Sequence, residues 1–463
     1  MKRITLELAD FVTTIKTNGV PKAVRSVLSD AVLDGIGCAL FGLTTKPCTI
    51  IRDFALDQGG PAEASVWGGG NNGKVSLLNA ALTNGTAIHG FDFDDHSRAK
   101  IHPGAAVISA ALAVAEHRKV DGETFLAALA AGYEVMNRVS LAANPNSSRL
   151  RGWHLTGTTG TFGAAAAAAV ILGLDTNTLA SAFGLAGTQS SGLWAFSADG
   201  AMSKRIHPGL AAKSGVMAAL LAQRGFFGGE YILEAKDGGF LQATSDDPHF
   251  DEVLCGIGKK WRTEGVCFKP YAACGSNHAS IDAALSLISE HKFNIADIEN
   301  IVIGVSHVVL VQTGFEYQMS TVLNAQMSIR YNVAVALLDG TALVEQFTAE
   351  RLPDPVLNAL IQRIDVRVDP EMDAIYPARY AGTVTIFLKN GQKHYKRVDF
   401  SKGMPENKMS SQEMTTKFLS LSGRAVGAEK AAKLLVDIKK IFEVSNVSGV
   451  AEKLGALFPG RDK

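Results

Sequence analysis

The stretch Gly160-Thr161-Phe162-Gly163-Ala164-Ala165-Ala166-Ala167-Ala168-Ala169-Val170-Ile171-Leu172-Gly173-Leu174 decides how the first half of this chain is read. It carries no charge and no polar face. That predicts a helix enclosed on all sides rather than one lying on a surface. Side chains this small let neighbouring backbones approach closely, so other helices should surround it. Candidates flank it in the sequence. Val24, Val27, Leu28, Ala31, Val32, Ile36 and Leu40 recur at three- and four-residue spacing, and residues 105–115 and 124–141 are apolar enough for buried helices. Asp121 stands near an N-cap position before the second of these, and Asp175-Thr176-Asn177 restarts a helix through 179–185. Residues 213–224 predict a further helix, ended by Gly225-Phe226-Phe227-Gly228-Gly229.

The texture changes after about residue 268. Residues 300–311 are rich in Val and Ile and read as a strand, and 364–368 alternate. Residues 383–388 are followed by Asn390-Gly391 and then by 394–400, the pattern of a hairpin with a type I′ turn. Helical pieces at 278–291 and 328–338 lie among these strands, which makes an α+β unit of domain size. From about 410 to 457 the chain is helical again and should pack back on the first domain.

Bulk properties exclude several classes. A chain of 463 residues is too long for one simple core, so two or three units are expected. Hydrophobic residues at 47% and charged residues at 19% fit a globular protein and argue against disorder. Lys plus Arg equals Asp plus Glu at 45 each, so no net field favours nucleic acid or an anionic membrane. The five cysteines, Cys38, Cys48, Cys255, Cys267 and Cys274, are odd in number and form no C-x-x-C pair. That argues against a disulfide framework or zinc ribbon and for a reducing compartment. The start, MKRITLELADFVTTI, has no apolar signal core, and the most apolar run, 164–172, is too short to span a bilayer. A cytoplasmic protein is expected.

Chemistry concentrates in Gly90-Phe91-Asp92-Phe93-Asp94-Asp95-His96-Ser97-Arg98-Ala99-Lys100-Ile101-His102-Pro103-Gly104. Three carboxylates, two imidazoles and two cations fall within eleven residues, 92–102. Three readings stand: an acid–base site, a metal site built from carboxylate and imidazole, or a solvated charged loop. No H-E-x-x-H frame supports the metal, and none is assigned. His89, His96, His102, His154, His207 and His278 all sit in polar or Gly-rich surroundings. His154 lies in a glycine- and hydroxyl-rich entry to the alanine-rich helix, where exposed N–H groups attract a carboxylate. Lys204 and Arg205 lie in what reads as a polar turn before a helix. Gly68-Gly69-Gly70-Asn71-Asn72-Gly73 matches a dinucleotide fingerprint by letter only, since no suitable strand precedes it.

The same residues carry a resemblance. Gly90-Phe91-Asp92-Phe93-Asp94-Asp95 with His102-Pro103-Gly104 resembles the signature of the MmgE/PrpD family. Gly152-Trp153-His154, Lys204-Arg205-Ile206-His207-Pro208-Gly209 with Ala211-Ala212, Gly225 to Gly229 through Ile232-Leu233-Glu234, and Lys269-Pro270-Tyr271 with His278 resemble it too. These anchors recur in order from about residue 30 to 340. The resemblance implies a mainly α protein with an α+β lid. A large all-helical domain would span 1–268, completed by 403–463, with a smaller α+β domain at 269–402 and the site between them. It also implies a homodimer, no cofactor and a small polycarboxylate substrate. By position, Asp92, His102, His154, Lys204 and His278 match the family's catalytic residues, and His96, Tyr317 and Arg205 are expected to bind substrate. His96 stands where many relatives have threonine.

Such substrates demand that charge be made or quenched at a carbon beside a carboxylate. Lys204 is expected to stabilise that charge, His102 or His154 to move the proton, Asp92 to hold an imidazole, and His278 to act as a second acid. A 2-methylcitrate dehydratase-like lyase is the leading expectation. Epimerisation of an imino or amino dicarboxylate, as by iminodisuccinate epimerase, and cis-aconitate decarboxylation are the enzymatic alternatives. A helical interaction protein is the non-enzymatic one.

Overall fold

The computed structural model describes residues 3–71 and 73–458. The chain forms two compact units. The first comprises Met1–Trp194, Met202–Val266 and Ser410–Lys463, and the second Ala195–Ala201 and Cys267–Met409. Each unit is described by itself.

In the first unit the alanine-rich helix runs Leu155–Leu172 and is buried at every position except Val170. By length and composition it could cross a membrane, yet protein fills its surroundings. It packs against helices Pro103–Arg118, Gly122–Ala142 and Ser203–Gln223. Small residues set the spacing. A Cβ on Gly215 would lie 2.5 Å from the Ala164 Cβ and 2.6 Å from the Ala165 nitrogen, so the two helices touch backbone to backbone. Phe162 fills the wider side, edge-on to Phe240 at 4.9 Å, and its burial contributes about 1.5–3 kcal/mol.

The helix starts five residues before the predicted Gly160. Thr159 donates its hydroxyl to the Leu155 carbonyl at 2.7 Å, so this polar entry satisfies its side chains within the helix. Gly173, at φ 68°, ends it in the left-handed conformation. Asp121 and Asp175 cap the following helices as expected, accepting from Thr124 N at 2.7 Å and Thr178 N at 2.8 Å. A larger correction concerns Ser203–Gln223, which begins ten residues before the predicted start. The supposed polar turn around Lys204 and Arg205 is its first turn, and Pro208 lies inside the helix. Proline reads as a breaker, but only the Lys204 carbonyl loses its helical donor. The domain is also not purely helical: Ala64–Ser65 pairs with Lys74–Val75 in a two-residue ladder around the glycine-rich stretch, of which Asn72 lies outside the described residues.

The last helices, Ser411–Val426, Ala428–Lys439 and Ser448–Ala456, return to this unit. A capping box between Ser410 and Glu413 starts the first of them. Its Lys417 reaches the Asp34 carboxylate at 2.6 Å and the Phe93 carbonyl at 2.6 Å, all within the core. Burial opposes its charge, but Asp34 more than compensates and keeps the ammonium charged. Lys417→Met should therefore destabilise the fold by about 3–5 kcal/mol by stranding Asp34, and adding Asp34→Asn should restore much of that. Urea denaturation of the single and double variants measures both effects.

The second unit holds a four-stranded mixed sheet. Its order is Ile364–Val368, Ile298–Val305, Gly382–Leu388, Lys393–Val398, with the first pair parallel and the others antiparallel. Ile301, Ile303 and Val305 alternate inward, as do Val384, Ile386 and Leu388. Helix His278–His291 covers the hairpin strands. Two expectations need correcting. The strand stops at Val305 because the Ser306 side chain accepts from Val309 N at 3.3 Å and caps helix His307–Thr313. That cap outweighs the β propensity of the valines beyond it. The hairpin turn is not type I′: only Gly391 has positive φ, at 85°, and its N–H donates to the Leu388 carbonyl. This is a type I turn followed by a glycine bulge.

Candidate active site

Four helix ends of the first unit meet around residues 90–102. His89 caps the C-terminus of Leu77–Ile88. His102 is the N-cap of Pro103–Arg118, and His154 that of Leu155–Leu172. Lys204 and Arg205 lie in the first turn of Ser203–Gln223. Three helix N-termini thus place partial positive charge where an anion could sit. The loop between is held sterically. A Cβ on Gly90 would lie 2.7 Å from the Cys48 sulfur, and one on Gly104 would lie 2.8 Å from both Asp95 Oδ1 and Tyr133 Oη.

Asp92 is buried and has φ 57°, a left-handed conformation that a non-glycine residue adopts at an energetic cost. Its Oδ2 is ion-paired with the Lys204 ammonium, itself buried. His102 sits between two carboxylates, with Nε2 3.8 Å from Asp92 Oδ1 and Nδ1 3.5 Å from Asp94 Oδ1. Its Nδ1 is 2.9 Å from the Asp95 carbonyl, which can only accept. His102 therefore carries a hydrogen on Nδ1, and Nε2 is the nitrogen that can gain or give a proton. His89 likewise donates from Nδ1 to Asp94 at 3.0 Å. Its ring lies 4.5 Å from that of His102. His154 contacts His207, Nδ1 to Nδ1, at 2.9 Å.

Charge is distributed unevenly. Burial works against Asp94 in its ionised form, but His89 and His102 outweigh it and hold the carboxyl well below the usual range. Burial and the neighbouring Asp94 push the Asp95 carboxyl well up, which disfavours its charged form, and it accepts from Tyr133 Oη at 2.7 Å and Gly104 N at 3.0 Å. Burial, with His207 and Lys204 close by, pushes His154 well down. Burial lowers His89 to about 3 and His207 to about 4.

These rings set an acid limit on stability. The unfolded chain binds their protons below about pH 6.5, while the folded chain does not until far lower pH. The stability is full above pH 6.5 and is lost as pH falls through that window, by about 2 kcal/mol for each of His89 and His207 at pH 5. Asp95, whose carboxyl is raised, has the opposite sign. The urea midpoint should drop between pH 7 and pH 5, and less steeply in His207→Asn.

The structure thus brings Asp92, His102, His154, Lys204 and Arg205 together. Arg205 is buried, not exposed, with Nη1 3.4 Å from the His89 carbonyl. The His96 ring lies 6.5 Å from that of His102. His278 and Tyr317 belong to the second unit. There His278 is buried at a helix start, with Nε2 3.3 Å from the Ala273 carbonyl and Tyr271 edge-on at 5.3 Å. Tyr317 stacks at a tilt on Tyr331, and its buried hydroxyl has no hydrogen-bond partner among the described residues. The solvated-loop reading of residues 92–102 fails because Asp92, Asp94 and Asp95 are all buried.

His89 and His207 stand among the six histidines that their polar or Gly-rich surroundings mark in the sequence, and Asp94 and Asp95 in the carboxylate cluster, but the sequence gives none of the four a role of its own. His89, Asp92, Asp94 and His102 can each bring a ligand atom within 4.8 Å of the others, so this is also where a divalent ion could sit. Lys204 already balances Asp92, and Arg205 stands close enough to Asp92 and Asp94 to feel both charges. A chelator should therefore leave turnover unchanged. Loss with EDTA and recovery with a divalent ion would assign a metal instead.

Two family matches cover most of the chain: the MmgE/PrpD N-terminal domain over residues 6–253 and the MmgE/PrpD C-terminal domain over 271–440. Curated relatives align end to end. A cis-aconitate decarboxylase-like protein of Aspergillus oryzae is 30% identical over 468 residues, covering 96% of each chain. The cis-aconitate decarboxylase of Aspergillus terreus is 27% identical, covering 96% of each. The Homo sapiens cis-aconitate decarboxylase is 26% identical, covering 97% of this chain and 94% of its own. The motif residues of the sequence, the helical unit followed by a mixed-sheet unit, and these matches agree: the chain belongs to the MmgE/PrpD family.

Proposed function

We propose that this enzyme decarboxylates cis-aconitate or a close unsaturated tricarboxylate. One observation carries the acid–base part: His102, its tautomer fixed by the Asp95 carbonyl, lies between the carboxylates of Asp92 and Asp94 with Lys204 on the far side of Asp92. End-to-end similarity to cis-aconitate decarboxylases supports the substrate. Dehydration, the leading expectation from the sequence, would use the same residues. It gives way here because the relatives named above carry the decarboxylase name.

In this reading the C–C bond to a terminal carboxylate breaks and carbon dioxide leaves. The bonding pair forms a new C=C bond, and the old double bond's pair moves to the carbon beside another carboxylate. The fixed charge of Lys204 stabilises that carbanion as it forms. His102, placed between two carboxylates, gives its Nε2 proton to the same carbon. Incubation in D₂O with cis-aconitate, citrate, 2-methylcitrate and iminodisuccinate, followed by NMR, tests this. The expected product is a methylidene dicarboxylate with one deuterium, formed from cis-aconitate alone. Vinyl signals from a hydroxy acid would mean dehydration, and deuterium with inverted configuration epimerisation; either would overturn the proposal.

A further inference from the structure

His154 and His207 face each other through like nitrogens, 2.9 Å apart, with both rings buried. Two neutral imidazoles make that contact only if one Nδ1 carries a hydrogen and the other does not. The side that holds it also decides the far nitrogen. With the hydrogen on His207, His154 presents an N–H at Nε2. With it on His154, that Nε2 is a bare lone pair.

The contact is built into the fold. The His154 backbone N–H donates to the Gly192 carbonyl at 3.0 Å. A Cβ on Gly157 would come within 3.3 Å of the His207 Cβ and 2.5 Å of the Ser191 carbonyl oxygen. One on Gly192 would come within 3.5 Å of His207 Nδ1 and 3.4 Å of the His154 carbonyl oxygen. Gly157 thus leaves room for the Ser191 backbone and the base of His207 beside the start of the His154 helix, while Gly192 lies in ordinary contact with both rings' residues. On the other side, His154 faces the site: its ring centroid is 6.2 Å from that of His89, and Lys204 is near enough to influence its charge. His102 and His89 both spend their Nδ1 hydrogens on Asp95 and Asp94, which leaves their Nε2 atoms as lone pairs when neutral. An anion arriving among such rings selects whichever tautomer offers it a donor.

We infer that His207 is a positioning residue: in the substrate complex it donates from Nδ1 to His154, so that His154 offers its Nε2–H to the developing negative charge. The inference rests on the polycarboxylate reading above. A neutral imidazole donor aimed at a forming carbanion-carboxylate belongs to the same class of stabilisation as an oxyanion-hole donor.

The test uses full-length protein labelled with ¹⁵N-histidine, saturated with propane-1,2,3-tricarboxylate as an unreactive probe. His154→Gln and His207→Asn spectra assign the two rings. The expected spectrum has His154 protonated at Nε2 and bare at Nδ1, and His207 protonated at Nδ1. Kinetically, His207→Phe should lower kcat by about 10²-fold with KM changed less than about threefold. His207→Asn, whose amide N–H can still donate to His154, should recover at least about tenfold of that loss. A bound-state His154 protonated at Nδ1, or a His207→Phe enzyme with wild-type kcat, overturns the inference while leaving the polycarboxylate reading intact. Failure of the wild type to bind or turn over any tricarboxylate sinks that reading, and the inference with it.

Discussion

Lys204→Ala should lower kcat by about 10³-fold and do so with the fold still assembled at neutral pH. Two effects share one side chain. The first is kinetic. The reaction makes charge beside a carboxylate, and the Lys204 ammonium, held by Asp92, is the buried cation ion-paired there. In a water-poor site such a charge stabilises the transition state without having to reorganise. The second effect is on stability. The variant removes the ammonium paired with Asp92, a buried carboxylate already in a left-handed backbone conformation, and should lose about 3–5 kcal/mol. Lys204→Met with Asp92→Asn removes both charges and should recover stability without recovering rate. Steady-state kinetics and urea denaturation on the same preparations separate the two. Near-wild-type kcat in Lys204→Ala would remove it from the mechanism.

His102→Asn is the second large expected loss, about 10²- to 10⁴-fold in kcat. The amide of asparagine stays short and polar, so the loop should close. It has no nitrogen that gains or gives a proton at working pH. A variant that keeps near-wild-type kcat would mean that another ring moves the proton. His154 would then be the candidate, and the fixed Nδ1 tautomer of His102 a matter of structure alone.

How much of this was legible beforehand depended on the kind of signal. Helices with an unbroken apolar period, such as Gly122–Ala142 and His278–His291, were read within two residues of their ends. Their burial pattern is local, so the sequence contains it. Ser203–Gln223 was shortened because Pro208 and a run of charges mimic a turn. The charges turn out to be buried because they face Asp92 and the His89 carbonyl, which lie more than a hundred residues away. The strand ending at Val305 was overrun because a single serine cap decides it.

The site divided along the same line. Asp92 and His102 were legible from their clustering. The partnership of His154 with His207 was not, since it joins segments more than fifty residues apart. The raised Asp95 carboxyl was equally hidden. Its shift follows from burial beside Asp94, which outweighs the opposing hydrogen bond from Tyr133, a residue that reads in sequence as ordinary core.

The small-residue contact between Leu155–Leu172 and Ser203–Gln223 has an evolutionary consequence. Where a methyl group on Gly215 already collides with backbone, no larger residue is admissible without separating the helices. Those two helices carry His154 at one start and Lys204 at the other. Their separation is therefore closed to gradual adjustment by substitution along the seam. Divergence toward new substrates has to proceed by exchange of other side chains, while the distance between the anchoring helices stays inherited.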